Sequence, residues 1–238
     1  MAPLSPESCA MCGKEEARHC TRCKSIAYCS TACQKADWVT HKLLCRPFSE
    51  FDVLTRPSPQ HYRAIFFPEE EQKPKLIWLY CVTVDDEDEG HSQYGQTAPY
   101  LGRGGAGIDV AYNCRLRRKL SRRSRLDHKD NFLADGSKIN QSIWTTLKPD
   151  MTPYWCGPVV AYGTLKNNTK TRDLSLADFR NIVDHFHTYD RNKRCLISQL
   201  EAMVESDYNN STTNQENSAG GSDCKDTGSN TTNSGEMV

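Results

Sequence analysis

The sequence predicts an α+β protein in three parts: a small cross-braced finger with two short helices, a mixed α/β region, and a disordered C-terminal tail. Three observations predict it. Seven of the twelve cysteines fall before residue 46 of a 238-residue chain. Short apolar runs with strand or helix spacing occupy the middle. Residues 206–238 are almost all Asn, Ser, Thr, Gly and acidic residues. Such a segment buries too little apolar surface to offset the entropy of ordering it.

Bulk properties narrow the function classes. The chain is 37% hydrophobic and 9% aromatic, with a mean hydropathy of -0.70, so its core is modest. Thirty Lys and Arg balance thirty Asp and Glu, which gives no overall pull toward nucleic acid or a membrane surface. No apolar stretch approaches the roughly 20 residues of a spanning helix. The first residues, MAPLSPESCAMCGKEE, lack a basic region followed by an apolar one, so no signal peptide is read and a cytoplasmic or nuclear location is expected. In that setting, cysteine pairs at fixed spacing point to metal rather than to disulfides.

The finger carries eight donors: Cys9-x2-Cys12, Cys20-x2-Cys23, Cys29-x3-Cys33 and His41-x3-Cys45. A tetrahedral zinc site needs four such donors at about 2.3 Å for sulfur and 2.0–2.1 Å for imidazole nitrogen. A Cys-x2-Cys turn presents two thiolates to one ion. Residues four apart share a face when the backbone is helical, so each later pair can chelate from a helix. Ser30 is placed to cap a first short helix through Gln34, Lys35 and Ala36. Asp37 is placed to cap a second through Trp38, His41 and Cys45. Eight donors close two sites and leave no open position, which predicts two structural Zn2+ ions and no metal-centred catalysis. Spacing alone leaves sequential and interleaved pairing both open.

This segment resembles the MYND-type zinc finger. The likeness rests on Cys20-Thr21-Arg22-Cys23, Tyr28-Cys29-Ser30, Cys33-Gln34, Asp37-Trp38, His41-Lys42 and Cys45, within residues 9–45. The resemblance implies interleaved ligands: Cys9, Cys12, Cys29 and Cys33 on one zinc, Cys20, Cys23, His41 and Cys45 on the other. It also implies protein–protein contact, often with a proline-rich peptide, in a groove at Gln34 and Trp38 with Tyr28 and Ser30 nearby. A Trp face suits a polyproline II ridge. The competing role for Trp38 is to fill the small core between the helices. Residues 1–46 carry seven Lys/Arg and four Asp/Glu, so two zinc ions with seven thiolates leave the module near neutral.

Residues 47–75 hold five prolines and Glu69-Glu70-Glu71 and read as a linker. Residues 76–205 form a mixed domain of unrecognised type. Strands are expected at Leu76–Val84, Ile108–Tyr112 and Val159–Leu165. Ser175, with Asp178 three residues on, predicts a capped helix with Leu176, Phe179, Ile182, Val183 and Phe186 as its apolar stripe. Residues 85–107 read as a long loop. Residues 115–129, RLRRKLSRRSRLDHK, read as a helix that serves as an import signal, a nucleic-acid patch or a solvated face, or that pairs with the acidic run at Asp85–Glu89.

Gly102-x-Gly104-x-x-Gly107 matches a dinucleotide fingerprint in letters only, because no strand leads into it and no helix opens from it. Trp155-Cys156-Gly157-Pro158 lacks the second cysteine of a redox pair. The cofactor motifs of SET methyltransferases are not found around the finger. The reading is an interaction adaptor, transcriptional or signalling, that binds a partner peptide. Its alternatives are an enzyme with catalytic residues in 76–205 and a nucleic-acid binder acting through the basic run 115–125. The sequence leaves the oligomeric state open.

Overall fold

The structure, a computed structural model, describes residues 8–86, 90–102, 105–131, 134–147, 155–165 and 170–189. The tail expected to be disordered, 206–238, lies outside the described residues. The described residues all belong to one compact unit. No helix among the described residues is long and apolar enough to cross a membrane.

The finger opens with a two-stranded ribbon, β1 (Arg18–His19) and β2 (Ala27–Tyr28), paired antiparallel. A helix of 20 residues follows, α1 (Thr31–Glu50). Ser30 caps it, accepting from the Cys33 backbone N–H at 3.2 Å. The second expected helix does not start separately. Asp37 is fully buried within α1, and its carboxylate takes the Tyr28 hydroxyl at 2.5 Å and the Arg180 guanidinium at 2.9 Å. A side chain committed to those partners cannot fold back to cap its own backbone, so the helix runs on. Pro47 sits in its last turn, where the missing N–H costs one intrahelical bond.

The expected linker is largely structured. It begins inside α1, continues through a 3-10 turn at Val53–Thr55, and contains β3 (His61–Phe67). Prolines bracket β3 at Pro59 and Pro68 without entering it. β4 (Lys75–Asp86) and β5 (Gly90–Gly95) extend an antiparallel meander. The expected loop at 85–107 thus contains β5, a one-turn α2 (Ala98–Leu101) and the start of β6 (Gly105–Asn113). The basic run is also strand: β7 (Arg118–Lys129) pairs with β6 and, from Arg123, with β8 (Val159–Thr164). Arg123 and Arg125 alternate with the buried Ser124 and Leu126, at the period of two that a strand requires. α3 (Gln141–Leu147) precedes β8, and the short β9 (Thr171–Arg172) pairs with the end of β8.

The sheet has seven strands in the order β5-β4-β3-β8-β7-β6, with β9 beside β8. It curls into a half-barrel. Gly95 of β5 comes so near β8 that an added Cβ would sit 3.1 Å from the Tyr162 ring and 2.6 Å from Leu79, so only glycine fits there. Gln93 of the same strand accepts the Thr171 N–H of β9 at 2.7 Å.

The convex face carries Ile65, Phe67, Leu126, Val159 and Ala161. It packs on α4 (Leu176–Thr188) through Phe179, Ile182, Val183 and Phe186. α4 begins with the expected reciprocal cap between Ser175 and Asp178. The concave face holds Ala64, Leu79, Cys81, Val160 and Tyr162 under Leu101 of α2.

The finger is built into this core. Cys9, Ile26, Leu44, Cys45 and Phe48 belong to the same buried cluster as Phe67 and Phe186. Arg118 of β7 donates to the Cys9 and Ala10 carbonyls at 3.3 and 2.6 Å, and the Ser25 hydroxyl accepts the Leu176 N–H at 3.0 Å.

Candidate metal centres and finger surface

Two donor sets converge, and they interleave. Cys9, Cys12, Cys29 and Cys33 form one; Cys20, Cys23, His41 and Cys45 form the other. Within each, the ligand atoms lie no more than 4.8 Å apart. Tetrahedral bonds of the lengths above put neighbouring donors about 3.6–3.8 Å apart. Cys12 and Cys29 Sγ are 3.4 Å apart, Cys29 and Cys33 Sγ 3.7 Å, Cys20 and Cys45 Sγ 3.9 Å, and Cys23 Sγ lies 3.4 Å from His41 Nε2. The residues therefore fit zinc, and the two clusters are structural zinc sites. Each ion cross-links segments far apart in sequence, as a module with so small a core of its own requires.

Local backbone prepares the thiolates. Burial opposes ionisation of Cys9, but the N–H groups of Cys29, Cys12 and Met11 outweigh it and bring the thiol down to about 6. At Cys20, burial is likewise outweighed by the N–H groups of Cys23 and Arg22. In both turns the donors stand two and three residues after the first cysteine, which is the physical content of the Cys-x2-Cys spacing. Cys23, Cys29 and Cys45 resist ionisation. Burial pushes Cys23 up to about 12, and the charges of Cys20 and Cys45 add to it. Burial also lowers the pKa of His41, which keeps the neutral, ligating imidazole. A set whose thiols cannot all ionise beside one another calls for a dication among them.

The centres differ in exposure. All four ligands of the second are buried. In the first, Cys9 is buried, Cys29 and Cys33 are half-buried and Cys12 is exposed.

The residues expected to line a peptide groove separate into two kinds. Trp38 is 48% exposed, its ring edge-on to His41 with centroids 5.5 Å apart, and Val39 beside it is 62% exposed. Gln34 lies one turn before Trp38 and is half-buried. Tyr28 is buried under the helix with its hydroxyl on Asp37, and is withdrawn from the surface. Ser30 is exposed, but its hydroxyl is engaged in capping α1. Trp38 does not fill the interior. Leu44 and Phe48 do so from the inner face of α1, and Trp38 stands at the edge of that face against the His41 ring. Val39 was missed in sequence because nothing local distinguishes an exposed valine.

The basic run divides. Arg115 lies 3.8 Å from Asp184, and Arg125 pairs with Asp127 at 2.9 Å and Asp109 at 3.6 Å. Of the acidic run, the described side chain of Asp85 pairs instead with His91, at 2.6 Å. A cleft of about 280 Å³ on the concave side holds Arg125, Asp127 and Thr97. Burial raises the Asp127 pKa against the pull of Arg125. Arg125, Thr97 and the Tyr162 hydroxyl together occupy both of its oxygens.

Comparison with known proteins agrees with the metal geometry. The MYND finger family model matches residues 9–45. Ubiquitin carboxyl-terminal hydrolase 19 of Arabidopsis thaliana is 51% identical over 45 residues, 18% of this chain and 7% of its own. Tudor domain-containing protein 1 of Mus musculus is 44% identical over 48 residues, 20% of this chain and 4% of its own. SET domain and MYND-type zinc finger protein 6 of Schizosaccharomyces pombe is 49% identical over 41 residues, 16% of this chain and 8% of its own. The chain thus spans less than a tenth of these relatives, and the likeness is confined to the finger. No solved structure matches the chain. Residues 9–45 are a MYND finger, a zinc-binding protein-interaction module, set into a half-barrel domain of unrecognised family.

Proposed function

We propose that this protein is an interaction adaptor that captures an extended, proline-rich segment of a partner on the outer face of α1, with Trp38 as the apolar platform and Gln34 as its hydrogen-bonding neighbour. One observation carries the reading. The inner face of α1 is spent on zinc and core, while Trp38, at the edge of that face beside His41, and Val39, on the far side, stand out at 48% and 62% exposure. Exposed aromatic rings of this kind receive the preformed ridge of a polyproline II segment at low entropic cost. The relatives support it. A hydrolase, a Tudor-domain protein and a SET-domain protein share this segment although their names differ, as expected of a portable contact module.

The concave cleft favours an enzymatic reading less, because the Asp127 carboxylate already accepts from Arg125, Thr97 and Tyr162. The adaptor reading is tested with the full chain and a fluorescent proline-rich peptide. Trp38→Ala weakens binding by about tenfold or more, the loss typical of an aromatic hot spot, while two zinc ions remain bound. Unchanged affinity in that variant removes the groove.

A further inference from the structure

The ladder between β6 and β7 breaks once. Val110 pairs with Ser124 and Tyr112 pairs with Lys119, so Ala111 alone faces residues 120–123. β8 takes up pairing only at Arg123. Among the described residues, Leu120, Ser121 and Arg122 therefore have no cross-strand register partner on either side. Bulges of this kind re-aim side chains and free backbone groups, and they gather beside binding sites.

This bulge forms one wall of the larger cavity, about 400 Å³, which is also lined by Ser8, Ala10 and Gly13 of the finger and by the first turn of α4. Residues 118 to 122 all line it, without the alternation of an ordinary strand face. The cavity is cationic. Lys119 and Arg122 are exposed, and among the described residues neither forms an ion pair. Arg118 spends its guanidinium on the finger's carbonyls. The one carboxylate in the wall, Asp178, is held by Arg172 in a two-pronged pair at 2.8 and 2.9 Å, and by Ser175. The hydroxyl of Ser121 completes a lining suited to an anion.

We propose that this cavity seats an acidic, extended segment of a partner protein, with its carboxylates on Lys119 and Arg122 and its backbone on the unladdered residues of the β7 bulge. The complementarity is charge for charge and amide for amide, with the unladdered stretch of β7 serving as the sheet edge does in strand addition. It is a second contact surface, distinct from the Trp38 face, and it rests on the adaptor reading only in taking a protein segment as its occupant. The finger supplies one wall, so the cavity exists only with the finger docked on the sheet.

The test uses the zinc-loaded full chain and a fluorescein-labelled oligo-glutamate peptide at low ionic strength. An uncharged oligo-glutamine peptide and an oligo-thymidylate of equal charge serve as competitors. The glutamate peptide binds and shifts the backbone amide resonances of Leu120, Ser121 and Arg122. K119E/R122E weakens it about tenfold or more, as the loss of two charge-assisted contacts requires. K119Q/R122Q, which adds no repulsion, weakens it in the same direction. Trp38→Ala leaves it unchanged, which separates this site from the groove on α1. The proposal is overturned if the bulge amides do not move, if the glutamine peptide binds equally well, or if both double variants keep wild-type affinity. Tighter binding of the oligonucleotide overturns it in favour of nucleic acid.

Discussion

Arg180 shows how much of the molecule hangs on single side chains. Its guanidinium side chain is 8% exposed and lies between two carboxylates that are 0% exposed. It donates to Asp37 at 2.9 Å and Thr40 at 3.2 Å on α1, and to Asp184 at 3.0 and 2.8 Å on its own helix. Asn113 of β6 donates to Asp184 as well, at 2.9 Å. One cation thus joins the finger, α4 and the sheet. Burial raises the Asp37 pKa, and Arg180 and the Tyr28 hydroxyl pull it back down. Removing the guanidinium leaves Asp37 buried without its countercharge and Asp184 with only the more distant Arg115 at 3.8 Å, a kind of loss that typically costs about 3–5 kcal/mol. Arg180→Met is expected to show that loss in urea unfolding with zinc saturating. A change below about 1 kcal/mol, the worth of an exposed pair, would mean that the network carries little. None of this was legible in sequence. Asp37 has the local signature of a helix cap, while the partner that claims it stands 143 positions away.

Elements were legible where they carry their own pattern. The run from Leu76 and the run from Val159 are strands because each is apolar enough to be buried on at least part of both faces. α4 announced itself by a cap and a stripe. β3 did not, because the prolines that bracket it dominate a reading of its neighbourhood. β7 did not, because its cations resemble a solvated helix until their alternation is weighed against the buried Ser124, Leu126 and His128 that follow. The eight donors were legible in their spacing and the interleaved pairing in the family resemblance, but the exposure of the two centres depends on what α4 and the sheet cover, and this difference has a chemical consequence. Thiolates react with electrophiles in proportion to access. Cys12 is exposed, whereas Cys20, Cys23, His41 and Cys45 are all buried. Limited N-ethylmaleimide is therefore expected to alkylate Cys12 first among the zinc ligands and to release one zinc before the other, read by a chromogenic chelator and by peptide mass mapping. Simultaneous release of both ions, or first labelling at Cys45, would contradict the assignment of the exposed centre.

At the scale of the molecule, the finger and the half-barrel share one interior. A boundary near residue 46 is natural from composition, since the cysteines stop there, yet α1 runs through it to Glu50 and Phe48 is buried in the common core. The composition changes where the ligands end, and the packing does not. Zinc then becomes part of the stability of the sheet, because metal bound only by the folded state stabilises everything that unfolds with it. A finger on a linker would lose its own structure in chelator and leave the sheet's transition in place. Here, stripping both ions frees Cys9, Ile26, Leu44 and Phe48 from their positions against the cluster that includes Phe67 and Phe186. The Asp37–Arg180 and Arg118–Ala10 contacts lose their anchors at the same time. Chelation is accordingly expected to raise hydrogen exchange at the amides of β3, β8 and α4 as well as in residues 9–45, and to lower the thermal midpoint of the whole unit. Exchange confined to the finger, with β3 and β8 protected as before, would show two independent folding units. The Asp37–Arg180 contact between them would then be a surface junction rather than a shared core.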